Sequence, residues 1–328
     1  MKNKQPHSPY SLALVHLGAR FPPHLEDTLA QVQLFNQCPL FIVANQSAIN
    51  NCSLEIRGDV QMVACEELQV SSHHREFNEL SSLDREYREG FWHYACERFF
   101  YLEALGATLP KGSALYHLEN DVLLYRDLRE LHPVFSKNTI QIGGTLDNDR
   151  RCIPGMVYFQ SSESLTHLNE FITDVVRMNL LPEVNDMILL AAYWRTFGDQ
   201  RFSPLPVTPD EYSRPLVSQL GDSPKDASVF SRLYRSFNSI FDAAAIGQYL
   251  GGVDPKNSPR QSTDHFQNES AVYSAEALQV RWVKKDGLAT PYATLNDAMI
   301  PINNLHIHSK NLTRFRSDRV IEEAPPLR

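Results

Sequence analysis

The chain predicts an α/β fold in which helices flank a mainly parallel sheet. Two apolar runs of strand length, Leu12–Leu17 and Cys38–Ala44, bracket a segment with Leu25, Leu29, Val32 and Phe35 at helical spacing. That is a strand–helix–strand unit, the building block of parallel sheets. The alternation of strand-like and helix-like segments then continues along the chain. The composition fits: 328 residues, 42% hydrophobic and 21% charged, are ordinary for a globular protein. No clean linker interrupts the central loops, so one domain is expected.

Each element follows from its residues. Leu12–Leu17 is a buried strand, broken by Gly18-Ala-Arg-Phe-Pro-Pro. Leu25–Asn36 is a helix, and Cys38–Ala44 is a strand ending at the polar Asn45-Gln46. Val60–Cys65 is a third strand. Residues 66–90 are polar and charged, which predicts a loop with short helical pieces. His73-His74 in that loop has no partner at metal spacing and reads as surface. Phe91–Leu105 is a helix packed on the sheet, and Leu115–Leu118 is the next strand. A short helix at Arg126–Val134 follows, then strands at Thr139–Gly143 and Gly155–Gln160. Helices are predicted at Ser164–Met178 and Asn185–Phe197. Residues 203–228 are proline-rich and polar, which predicts a long loop. Phe237–Leu250 leads into the turn-rich Gly251–Asn257. Val280–Val283 and Leu305–Lys310 are late strands, and Arg314–Arg328 is a charged, frayed tail.

Charge and cysteine content exclude several classes. A net charge of −8 without a Lys/Arg stripe argues against a nucleic-acid partner. The five cysteines are scattered and show no C-x-x-C spacing, which fits free thiols in a reducing, cytoplasmic setting. The N-terminal apolar run is short and broken by His16, so it reads as a strand and not a signal peptide. No stretch reaches the roughly 18 apolar residues that span a bilayer, although peripheral membrane contact is allowed.

The most informative stretch is Ala114–Leu128. Apolar residues run straight into Glu119-Asn120-Asp121, and Val122, Leu123 and Leu124 follow at once. Two carboxylates two residues apart on a strand share a face. Burying them costs several kcal/mol unless a cation compensates, and a divalent metal is the natural candidate. The alternative is a strand ending at Leu118 and a solvated turn. A second array, His306-Ile-His308-Ser-Lys310, puts two imidazoles and an ammonium on one face of an extended segment. Imidazole suits a Mn²⁺-like ion and Lys suits phosphate.

With these residues the chain resembles GT-A-fold glycosyltransferases over roughly residues 11–312. Glu119-Asn120-Asp121 resembles their D-x-D motif, with Glu for the first Asp, and His306 or His308 resembles their C-terminal metal-binding His. The resemblance implies a GT-A-like mixed, mainly parallel sheet. Its nucleotide-binding half would cover about residues 11–125 and its acceptor half about 126–312, within a domain at 1–312. A flexible tail would follow at 313–328.

It also implies an enzyme that moves a sugar from a UDP- or GDP-linked donor to a glycan or glycolipid acceptor, using Mn²⁺ or Mg²⁺. Asp121, His306 and His308 are the metal candidates. Glu119 would hold the ribose or support the metal, and Lys310 would contact the diphosphate. His16 and Gly18, ending the first strand, are placed for the nucleotide, as ligands lie beyond strand ends in open α/β sheets. Arg98 and Gln248 are candidate donor contacts. Asp186, opening an apolar helix, is the candidate base, its carboxyl depressed by the helix terminus. Capping by Asn185 or Asp186 is the alternative. Asp242, in a run of small residues, is a further catalytic candidate. A non-catalytic nucleotide- or glycan-binding protein and a metal-dependent nucleotidyltransferase remain as other readings.

Overall fold

A computed structural model describes residues 8–56, 58–209, 226–254, 256, 264–268 and 270–320. Parts of the loop expected at 203–228, of the turn at 251–257 and of the tail at 313–328 lie outside the described residues. The strands are β1 (Tyr10–His16), β2 (Leu40–Ala44), β3 (Val60–Ala64), β4 (Ala114–Leu118), β5 (Val122–Leu124) and β6 (Ile142–Asn148). They continue with β7 (Arg151–Phe159), β8 (Phe202–Pro204), β9 (Arg281–Lys285), β10 (Leu288–Leu295), β11 (Ala298–Pro301) and β12 (Asn304–His306). The helices are α1 (Leu25–Phe35), α2 (Gln46–Asn50), α3 (Ser72–Leu80), α4 (Phe91–Gly106) and α5 (Leu128–Lys137). After them come α6 (Ser162–Met178), α7 (Asp186–Phe197), α8 (Tyr234–Phe237) and α9 (Ala245–Gly251).

Seven strands form the main sheet in the order β3-β2-β1-β4-β7-β6-β8. β7 pairs antiparallel with both β4 and β6, while the other neighbours pair parallel. The sheet is therefore mixed and mainly parallel, as the sequence predicts. Alternation along the strands divides the core between its two faces. Ala13, Val15, Phe41, Val43 and Leu115 join residues of α4, α6 and α7. Leu12, Leu14, Leu40, Ile42 and Tyr116 join residues of α1 and α5. With both faces covered, β1 and β2 are near-continuous apolar runs. No helix among the described residues is long and apolar enough to cross a membrane.

Two smaller sheets complete the fold. β5 pairs antiparallel with β12, setting His306 opposite Val122. β9, β10 and β11 form a meander whose two turns, Asp286-Gly287 and Asn296-Asp297, each hold a pair of positive φ values, between 46° and 83°. Only β9 is expected from the sequence. Asp-Gly between strands is a strong hairpin signal that the apolar-run reading passes over.

Three expectations are corrected. The extended segment expected at Leu305–Lys310 ends at His306, and Lys310 has a left-handed backbone with φ 64°. The tail expected from residue 313 is packed as far as residue 320 in part: the Ser317 N–H donates to Gln31 at 2.9 Å, and the Tyr125 hydroxyl donates to the Phe315 carbonyl at 2.8 Å. His74 is buried, with Nε2 2.9 Å from Glu97 on α4, because α3 packs there instead of lying on the surface.

Candidate metal and diphosphate site

The site forms where β4 ends. Residues 119–121 are a tight turn into β5, with the Glu119 N–H donating to the Gly155 carbonyl and the Val122 N–H to the Glu119 carbonyl. The carboxylates converge through this turn, not through strand alternation. Yet it is not solvated: Asp121 is only 5% exposed. Thr28 on α1 fixes the turn by donating its hydroxyl to the Asn120 carbonyl at 2.7 Å. The Asn120 amide donates to His16 Nδ1 at 3.3 Å, and His16 Nε2 donates to the Arg20 carbonyl at 2.7 Å. Burial keeps the His16 pKa low despite that backbone contact. Thus His16 sits beside the turn at the end of β1, and the Gly18 N–H is tied to Asn45 at the end of β2.

Strand β12 brings the second array. Its position is set by Asp242, whose fully buried carboxylate accepts the N–H groups of Ile246 and Gly247 at 2.9 Å and of His306 at 3.0 Å. Asp242 was a catalytic candidate from sequence. Its oxygens are instead occupied by the backbone of α9 and β12, so it positions His306. A Cβ on Gly155, across on β7, would lie 2.8 Å from His306 Nδ1, so only glycine leaves room for the ring.

His306 Nε2 stands 3.2 Å from Asp121 Oδ2 and 3.4 Å from Glu119 Oε2. The three side chains each offer a donor atom within 4.8 Å of the others. Lys310 Nζ pairs with Asp121, while Arg98 on α4 bridges Glu119 and Asp186. Burial pushes both carboxyls of the turn upward, but the cations outweigh it. His306 and Lys310 hold Asp121 well below the usual carboxylate range, and Arg98 with His306 lowers Glu119. Burial lowers the His306 pKa, but Asp121 and Glu119 reverse this and raise it overall.

Two carboxylates offer the oxygen donors that Mn²⁺ and Mg²⁺ take, and the imidazole adds a nitrogen donor suited to a transition metal, so the three side chains fit a divalent ion of the Mn²⁺ kind. His306 Nδ1, on the side of the ring away from the carboxylates, is buried without a hydrogen-bond partner, so no second contact fixes the ring from that side.

The remaining candidates fall around this group. Asn185 caps α7 by accepting the Ile188 N–H at 2.9 Å, which releases Asp186 to face Arg98. The Asp186 carboxyl is raised, not depressed as the helix terminus predicts. Burial is the largest effect and Arg98 offsets it only in part, with Glu119 adding to the rise. Arg98 is itself buried, so it is neither a surface ion pair nor a free donor contact. Gln248 donates its amide to His308 Nδ1 at 3.1 Å. Burial, with His306 and Lys310 nearby, lowers the His308 pKa to about 3. The structure thus brings His306, and not His308, into the three-residue group. Thr28, Asn120 and Gly155 carry no sequence signal of their own, because their partners lie far along the chain.

No protein-family model matches the chain, and no curated protein matches it. Among solved structures it is similar to mouse xyloside xylosyltransferase 1 in its apo form. The identity is 14%, over 61% of this chain and 86% of that one, with a TM-score of 0.45. It is also similar to the galactosyltransferase LgtC in complex with donor and acceptor sugar analogues, at 10% identity over 60% and 73% of the two chains, TM-score 0.42. A third is the apo glycosyltransferase GlyE of Streptococcus pneumoniae, at 13% identity over 59% and 44%, TM-score 0.37. All three of these solved structures are glycosyltransferases.

Proposed function

We propose that this chain is a metal-dependent GT-A-type glycosyltransferase, moving a sugar from a UDP- or GDP-linked donor to a glycan or glycolipid acceptor. One observation carries the reading. Glu119 and Asp121 on one turn meet His306 and Lys310, the latter 189 residues beyond Asp121, at the end of a parallel strand. Ligands of open α/β sheets lie beyond the carboxyl ends of the strands. The free cysteines support a reducing, cytoplasmic setting, where nucleotide sugars are made.

Asp121, Glu119 and His306 would hold Mn²⁺ or Mg²⁺, which when bound supplies positive charge against the leaving diphosphate. Lys310 adds a fixed cation on the same side. It is drawn there by Asp121 and lies ready to pair with phosphate oxygens. His16 and Gly18 line the approach at the end of β1. Arg98 pairs with both Glu119 and Asp186 and so fixes the separation of the two carboxylates. Asp186, whose carboxyl is raised by burial, is the group proposed to accept the proton of the acceptor hydroxyl in an inverting transfer.

A thermal-shift panel of UDP, GDP and their sugar conjugates, with and without Mn²⁺, tests the reading. A ligand at 100 times its Kd stabilises the fold by about 2.7 kcal/mol. The shift should need Mn²⁺ and vanish in Asp121→Ala. No metal-dependent shift with any nucleotide would sink the proposal. Binding without sugar release to any acceptor or to water would leave a non-catalytic binder.

A further inference from the structure

We propose that a cleft on the outer side of α7 binds an acidic saccharide unit, with its oxyanion between Arg150 and Arg195. This rests on the glycosyltransferase reading and adds to it the chemical class of the acceptor, a glycan that bears carboxylate or phosphate.

The cleft has a volume of about 570 Å³, within the range of small-ligand pockets. Two segments build it. The turn between β6 and β7 contributes Asp149 and Arg150, and the approach to α7 contributes Leu181, Pro182 and Glu183. Ile188 and Arg195 complete it from the helix, where seven residues of separation put them on one face. Asn148 fixes the turn by accepting the Arg150 N–H at 2.8 Å and donating its amide to the Ser270 carbonyl at 2.9 Å. The turn also docks on the start of α7, since Arg151 Nη2 lies 3.5 Å from Met187 Sδ.

Neither guanidinium has a carboxylate partner. Arg195 Nη1 donates to the Asp149 backbone carbonyl at 2.7 Å, and neither Arg150 nor Arg195 forms an ion pair among the described residues. Glu183 shares the cleft, yet it accepts the Asn185 amide at 3.2 Å instead of pairing with either arginine. Burial, and then the charge of Arg150, lower the Arg195 pKa, and Asp149 offsets this only in part. Two like charges therefore face one space, a cost that an anion between them removes.

The occupant follows from the chemistry of the walls. A guanidinium fork matches the oxygens of carboxylate or phosphate. Leu181, Pro182 and Ile188 form an apolar wall suited to the C–H face of a sugar ring, and Asp149 and Glu183 offer acceptors for its hydroxyls. A bare anion would leave that wall unused. Glu183 and Ile188 lie within three residues of Asp186, but Ile188 points about 200° away from it around the helix. The unit in the cleft is thus not the reacting one. A glycan crossing the start of α7 brings its reacting hydroxyl to Asp186 and sets an acidic unit, about 10 Å along, in the cleft.

Saturation-transfer NMR and calorimetry on the full chain test this with glucuronic acid, glucose 6-phosphate, glucose and inorganic phosphate. At least one of the two acidic sugars should bind saturably, about tenfold more tightly than glucose or free phosphate, and the tighter of the two tells carboxylate from phosphate. Arg150→Ala and Arg195→Ala should each weaken that binding about tenfold, and Arg195→Lys should restore it only in part. Lys310→Ala should leave it unchanged, which separates the cleft from the diphosphate site. The cleft is overturned if neither acidic sugar outbinds glucose, if free phosphate binds as tightly, if both arginine-to-alanine variants bind as the wild type does, or if Lys310→Ala abolishes binding. Absence of the Mn²⁺-dependent UDP shift in the same wild-type samples would fault the glycosyltransferase reading instead.

Discussion

Asp242 accepts the backbone N–H of His306 at 3.0 Å, so a carboxylate with no solvent exposure fixes the strand that bears the imidazole. Asp242→Ala would leave that donor, and those of Ile246 and Gly247, without an acceptor. Each unsatisfied buried donor costs about 1–3 kcal/mol. Urea titration should show a loss of at least about 3 kcal/mol, with Asp242→Asn losing less. An unchanged midpoint would mean that the strand is held by other contacts.

Arg98 is the only group bridging Glu119 and Asp186 among the described contacts. Arg98→Ala leaves the buried Asp186 without its cation and Glu119 with only His306, and breaking a buried pair typically destabilises by about 3–5 kcal/mol. Arg98→Lys keeps the charge but cannot fork to both acids, so it should recover stability only in part. Chemical denaturation of the two variants side by side checks the ranking.

Asp147 on β6 is fully buried, with Arg151 Nη1 3.2 Å away, and burial raises its pKa to about 6. The unfolded value is about 3.9, so between pH 4 and 6 the native state binds more protons than the unfolded state. This group's contribution therefore favours folding below about pH 4 and is lost as pH rises through 6. Across a shift of about two units the loss is roughly 3 kcal/mol. Stability measured at pH 4 and pH 7 should converge in Asp147→Asn relative to the wild type. An identical pH slope in both proteins would refute the assignment.

Gly155→Ala would press a Cβ against His306 Nδ1, 2.8 Å away. The ring must turn, taking Nε2 from the two carboxylates. Changes in groups that orient a ligand typically cost about 10–100-fold in metal affinity. Calorimetric titration with Mn²⁺ should show such a loss while the circular dichroism spectrum stays that of the wild type.

What was legible in the sequence was periodic or local. Leu25, Leu29, Val32 and Phe35 mark α1 because one helix face must meet the sheet, and they are buried or nearly so. The cost of carboxylates between apolar runs pointed to a compensated pair, and the compensation was found. What was missed depends on distant partners. The sequence shows Asp186 at a helix start but not its burial or its neighbour Glu119, so the helix terminus alone predicts the opposite direction of shift. His74 meets Glu97 across two helices, and Ser317 meets Gln31 over 286 residues; neither spacing is a motif. The Asp286-Gly287 hairpin, by contrast, was present as a signal and simply outweighed by the polarity around it.

The pairing of β5 with β12 also sets a timetable for synthesis. Lys310 follows Asp121 by 189 residues. At about 5–20 residues per second that is roughly 10–40 s on the ribosome. During this interval Asp121 has neither Lys310 nor His306, and β5 has an open edge that can pair with a foreign strand. The half-made chain is therefore weakest where the finished molecule is most tightly wired, and its exposure to misassembly ends only when β12 emerges and docks.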